Sequence, residues 1–174
     1  RKSYAASLYF QSGCTESHWC QRYCSSGTRS DDPYLKIAED YQHDEGVLAK
    51  AYYGAGNLYN LLSDMENSEK SCKMSIQAAK NSKNTRCQVL SLIQIAVLKL
   101  NQMNDALAAD YIFDAFSLAL ENEDNDVMNT IYTLLAQIFE TAESFETALM
   151  YHQKGIEEFV KTYPNGDIAY ASTY

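Results

Sequence analysis

Between residues 130 and 160 the apolar positions follow a helical rather than a strand rhythm. Tyr132, Leu135, Ala136 and Phe139 fall at i, i+3, i+4 and i+7, which places them on one face of a helix. Ala148, Tyr151, His152 and Gly155 form a second stripe of the same kind, and Glu143-Ser144 makes a short turn before Phe145. The pattern predicts a helical hairpin. Small residues at 136, 148 and 155 predict that its two helices lie close together, since a larger side chain would hold the axes apart.

The same pattern recurs upstream at an offset of forty residues. Tyr52, Leu92 and Tyr132 align, followed by Ala55, Ile95 and Leu135, then by the small residues Gly56, Ala96 and Ala136. The register continues through Ser68, Ala108 and Ala148 and ends with Ser75, Ala115 and Gly155, without gaps. Each unit is expected to be a hairpin with an apolar side that neither helix can cover, so neighbouring hairpins must stack. The predicted fold is all-α. Residues 45–162 form three forty-residue units. Residues 1–44 read as a divergent first repeat with an inserted loop near 25–33, or as a chain lacking residues near 30. Asp32 is the expected N-cap of the helix that follows the loop, with Pro33 at its first position. Tyr163-Pro164-Asn165-Gly166 breaks the last helix, leaving 163–174 as a tail or the start of a further repeat.

Composition narrows the class. The 174 residues include only 7 Gly and 2 Pro, too few for a turn-rich sandwich or a long disordered linker. Stretches without a charged residue, such as Cys87 to Leu98 and Val127 to Phe139, stay short of the roughly 18 apolar residues of a membrane span, so no membrane insertion is expected. Net charge is −9, unevenly distributed. Residues 1–87 carry 11 basic and 10 acidic side chains, whereas residues 88–174 carry 3 basic and 13 acidic, a balance of −10. Nucleic acid is therefore an unfavourable partner for the second half, and a basic protein or peptide surface a favourable one. Acidic helices that only keep the structure soluble are the competing reading.

Candidate chemistry is sparse. The five cysteines are odd in number and no secretory leader is visible, which predicts free thiols in a reducing, cytoplasmic setting. Cys14, His18, Cys20 and Cys24 lie close in sequence, but on a helix the two pairs point in different directions, so buried thiols are preferred to a zinc site. No phosphate-binding glycine loop, His-Glu-x-x-His or Gly-x-Ser-x-Gly occurs. Glu121-x-Glu123-Asp124-x-Asp126 lacks the glycine and terminal glutamate of a calcium loop and reads as a solvated turn. His152 is expected to pack rather than to act as a base. The sequence predicts no enzyme, no metal and no cofactor.

These residues resemble the tetratricopeptide repeat (TPR) family. Tyr132, Leu135, Ala136, Phe139, Phe145, Ala148 and Gly155 fill the motif's aromatic, leucine and small positions in order. The usual repeat is 34 residues; the forty-residue spacing is similar to the longer repeats of rapsyn, kinesin light chains, cell-polarity adaptors and bacterial peptide sensors. The unit at 49–88 departs from the motif at Ser68 and Ser75, and the unit at 89–128 at Lys99 and Asp105. The resemblance implies a right-handed superhelix of antiparallel hairpins whose first helices line a concave groove. In this register the groove positions are Lys50, Tyr53, Asn57, Asn60 and Leu61; Leu90, Ile93, Val97, Leu100 and Asn101; and Thr130, Thr133, Gln137, Glu140 and Thr141. Ile93, Val97 and Leu100 would form an apolar stripe there, which either receives a ligand or packs against another element. A carboxylate clamp of Lys and Arg is not expected, because Leu90, Gln94, Thr130 and Leu134 occupy those places. The implied function is a non-enzymatic adaptor that binds a peptide or an amphipathic helix with a basic flank. The alternative is a structural or regulatory region of a larger enzyme, transcription regulator or assembly.

Overall fold

The structure, a computed structural model, describes residues 33–162. The expectations for the Cys14–Cys24 cluster, the divergent first helix, most of the 25–33 loop and the 163–174 tail lie outside the described residues. Among the described residues seven α-helices follow one another: α1 (Pro33–Asp40), α2 (Glu45–Leu61), α3 (Met65–Asn81), α4 (Thr85–Asn101), α5 (Asp105–Glu121), α6 (Met128–Thr141) and α7 (Phe145–Thr162). A single 3-10 turn, Asn125–Val127, leads into α6, and there is no strand among the described residues. Pro33 opens α1, where its fixed φ fits and its missing N–H is not needed. The helical hairpins α2–α3, α4–α5 and α6–α7 begin at Glu45, Thr85 and Asn125, and their second helices at Met65, Asp105 and Phe145.

One turn geometry joins all these helices from α2 onward. Ser63, Lys83, Met103, Glu123 and Glu143 each adopt positive φ, between 52° and 60°, and they stand twenty residues apart. After each, the next residue's N–H closes back on the preceding helix: Asp64 on Tyr59, Asn84 on Ala79, Asn104 on Lys99, Asp124 on Ala119 and Ser144 on Phe139. This satisfies carbonyls that the helix end would otherwise leave unpaired. Asp64, Asn84 and Asn104 then cap the following helix, their side-chain oxygens accepting from the backbone N–H of Asn67, Cys87 and Leu107. Asp44 does the same for α2 with Gly46 and Val47. The helix stops and restarts within three residues, so successive helices are antiparallel neighbours.

Small residues set the distance within each hairpin. Gly56, Ala96 and Ala136 on the first helices are buried, as are Ser68, Ala108 and Ala148 and Ser75, Ala115 and Gly155 on the second. A Cβ on Gly56 would lie 2.5 Å from the Cys72 sulfur, so α2 has no room for a side chain where Cys72 of α3 packs against it. Ser68 donates to the Gly56 carbonyl at 2.7 Å and Ser75 to the Ala49 carbonyl at 2.7 Å. Serine thus replaces alanine in this hairpin without leaving a buried hydroxyl unpaired.

Burial is divided between two apolar clusters. One joins α4, α5 and α6 through Val89, Ile93, Val97, Ile112, Ala115, Ile131, Leu135 and Ile138. The other joins α1, α2 and the end of α3 through Ala38, Leu48, Ala49, Ala78 and Ala79, with Cys87 from α4. Where α3 meets α4 the buried groups are largely polar. Ser91 donates to Ser75 at 2.8 Å, and Lys99, 8% exposed, reaches Glu69 at 2.6 Å. Desolvation would raise the Glu69 pKa, but hydrogen bonds from Lys73 and Lys99 outweigh it and hold the carboxyl below its usual range. Gln94 is fully buried on α4, and neither its amide nitrogen nor its oxygen has a hydrogen-bond partner. An unsatisfied buried amide costs about 1–3 kcal/mol.

Two stability predictions follow from these local conflicts. Gln94→Leu removes the orphaned amide at similar volume and should stabilise the protein by about 1–3 kcal/mol in urea titrations. A lower midpoint would mean that the Gln94 amide is paired. Met103→Gly relieves a left-handed conformation at a side chain that is 88% exposed. It should raise stability by about 0.5–1 kcal/mol, seen as a melting temperature a few degrees higher by circular dichroism.

Candidate functional site

The first helices α2, α4 and α6 carry the residues expected to face a partner, and they differ in how much they present. On α2, Lys50 and Leu61 are exposed, and Tyr53, Asn57 and Asn60 are half-buried. Burial pushes the Tyr53 hydroxyl above its ordinary pKa, and a hydrogen bond with the Asn57 side chain opposes that rise only in part. On α6, Thr130, Thr133 and Gln137 are half-buried, while Glu140 and Thr141 are exposed. Thr133 donates to the Asn129 carbonyl at 2.9 Å and Thr141 to the Ile138 carbonyl at 2.8 Å, so both hydroxyls serve their own helix. Glu140 is bonded to the His152 ring at 2.9 Å across the α6–α7 hairpin.

The middle helix departs from expectation. Ile93 and Val97 are 1% and 4% exposed and belong to the larger apolar cluster, so they are not an open stripe awaiting a ligand. Leu90 and Leu100 pack on the same cluster half-buried, and Asn101 is half-buried beside them. The physical reason is position: α4 stands between α3 and α5, with α2 and α6 also against it, and every residue from Ser91 to Lys99 is buried. Of the two readings of that stripe, packing against another element describes Ile93 and Val97. The part of this face that stays accessible is therefore mainly polar, with Lys50, Asn57, Asn60, Asn101 and Gln137 beside the apolar Leu61, Leu90 and Leu100.

Neighbouring first helices are also tied together by charge. Arg86 at the start of α4 reaches Asp124 at 2.7 Å and Asp126 at 3.3 Å, so the acidic run before α6 is anchored rather than merely solvated. The aromatic residues of the last hairpin form a ladder. Phe116 of α5 meets Tyr132 at 5.8 Å, Tyr132 stacks on Tyr151 at 6.2 Å, and Tyr151 stacks on Phe139 at 5.4 Å. Cys72 and Cys87 are buried free thiols; desolvation pushes Cys72 up to about 12, where almost no thiolate exists at neutral pH.

The sequence reading overlooked the outer face of α7. Phe145, Leu149, Ile156 and Val160 are 67%, 59%, 49% and 57% exposed, and their i, i+4, i+11, i+15 spacing puts them on one side of the helix. The signal was available in that spacing, but Phe145 was read only as the turn aromatic. Among the described residues no helix is long and apolar enough to cross a membrane, and no three His, Cys, Asp or Glu side chains converge as a metal-binding group. No protein-family model matches the chain, and no curated protein matches it either.

The burial of the α4 stripe makes a direct prediction. Val97→Asp puts a charge into the larger cluster and should destabilise the protein by about 3 kcal/mol or more, read as a lowered urea midpoint by circular dichroism. An unchanged midpoint would return Val97 to an open groove.

Proposed function

We propose that this chain is a TPR-like protein-interaction scaffold, a right-handed superhelix of hairpins that binds a protein or peptide without catalysing a reaction. The observation that carries the proposal is the repetition itself. Three hairpins start at forty-residue intervals and share the same turn, so α2, α4 and α6 lie as a series of corresponding faces. Stacked hairpins of this kind create extended binding surfaces. Asn57, Asn60, Asn101 and Gln137 supply amide groups that both donate and accept, suited to the backbone of an extended segment. The acidic balance of the second half favours a partner with basic side chains.

The second reading, a structural or regulatory region whose first-helix face is packed internally, is favoured by the burial of Ile93 and Val97. Peptide selection separates the two. A binding peptide should be obtained from a displayed random library, and Asn57→Ala with Gln137→Ala should weaken it at least tenfold by calorimetry without lowering the melting temperature. Recovery of no binder, or of binders indifferent to both substitutions, would favour the internal scaffold.

A further inference from the structure

The outer face of α7 is apolar and exposed, and it lies apart from the first-helix residues considered above. In the forty-residue register, His152 and Phe159 of α7 correspond to Ile112 and Ala119 of α5. Ile112 and Ala119 are 0% and 1% exposed, in one cluster with Met128 and Ile131 of α6. The α5 face is thus covered by a helix of the next hairpin. On α7 the corresponding coverage is less complete: His152 is half-buried, and Leu149 and Ile156, which match Ala109 and Phe116 packed on that cluster, are exposed along with Phe145 and Val160. Its chemistry is that of a helix-stacking surface, continuous with the internal interface that α5 already forms.

Charge selects the occupant. Glu146 and Glu157 lie along one edge of the apolar stripe by helical spacing, and Glu143 stands at its N-terminal end. All three are exposed, and none makes an ion pair among the described residues. Glu140, joined to His152, borders the other edge. The basic side chains of α7 are already engaged, Lys154 over the Tyr151 ring at 5.7 Å and Lys161 on Glu158 at 2.7 Å, with Glu157 also near Lys161. A second copy of this face would bring acidic edges together, which is repulsive. We propose that the α7 face docks a basic amphipathic helix of a partner protein, whose apolar side covers Leu149 and Ile156 while its Lys or Arg residues face Glu146 and Glu157. The proposal rests on the interaction reading above but moves the apolar anchors from α4 to α7.

The test uses the full chain and two fluorescein-labelled peptides, each matched to α7 at 18 residues. One has leucines at helical spacing with lysine elsewhere, and the other has the same leucines with glutamate. The lysine peptide should bind at least tenfold more tightly by anisotropy. Leu149→Ser with Ile156→Ser should weaken it at least tenfold with no loss of melting temperature, because both residues are exposed. Glu146→Lys with Glu157→Lys should slow association and flatten its salt dependence. A photoreactive group at the peptide centre should cross-link within residues 145–160, a readout independent of any variant. Asn57→Ala with Gln137→Ala should leave this binding unchanged, so failure here is distinguishable from failure of the first-helix proposal. Equal binding of the glutamate peptide, or cross-links elsewhere, would overturn the assignment. Binding that appears only after removal of residues 163–174 would make that segment the occupant. A dimer abolished by Leu149→Ser with Ile156→Ser would make it a second copy.

Discussion

A single backbone turn, repeated every twenty residues, organises the described structure. One residue in the left-handed region lets the next N–H return to the helix just ended, and at three of the turns that next residue's side chain also caps the helix about to begin. The same residue therefore satisfies donors and acceptors on both sides of the corner. None of the five left-handed positions is glycine, so each carries a conformational cost of about 1–2 kcal/mol, offset by the hydrogen bonds that the corner completes. With the corners fixed, neighbouring helices are forced to be antiparallel and close, and only small residues can stand between them. Gly56, Ala96 and Ala136 follow from that requirement.

Close pairing within hairpins leaves the junctions between them to differ, and they do. The junction of α5 with α6 is apolar and reinforced by Phe116 against Tyr132. The junction of α3 with α4 is built from Ser75, Ser91 and the Glu69–Lys99 pair. A buried ion pair contributes little beyond its desolvation cost. Ile76 and Cys87 are the apolar residues that still cross the junction, each packed on the cluster opposite its own hairpin. The second half is therefore expected to open as one unit, with its polar junction to the first half the earlier to give way.

Much of this architecture is legible in the sequence, and the exceptions have physical causes. Helices and hairpins are visible because Tyr132, Leu135, Ala136 and Phe139 repeat a helical face, and because small residues return every forty positions. The residues that close the corners, Asp64, Asn84, Asn104, Asp124 and Ser144, also return every twenty. That finer period is weak in composition, since the left-handed residue preceding each cap is Ser, Lys, Met or Glu rather than Gly. The fate of Ile93 and Val97 was not legible. Spacing shows that they share a side of α4, but a central helix has neighbours on several sides, and periodicity does not say which side stays open. Lys99 shows the same limit: it stands where the motif has an aromatic, and only the fold reveals Glu69 opposite.

The two proposed interaction surfaces inherit this division. The first-helix face spans both clusters, from Asn57 on α2 to Gln137 on α6, so a ligand there would bridge the polar junction. The α7 face belongs wholly to the second half. Native-state hydrogen exchange followed by mass spectrometry tests the division most directly. Amides in the middles of α4, α5 and α6 should exchange last and together, with α1 and α2 opening earlier and independently of them. Simultaneous exchange of all seven helices at one rate would show a single cooperative core and contradict the account.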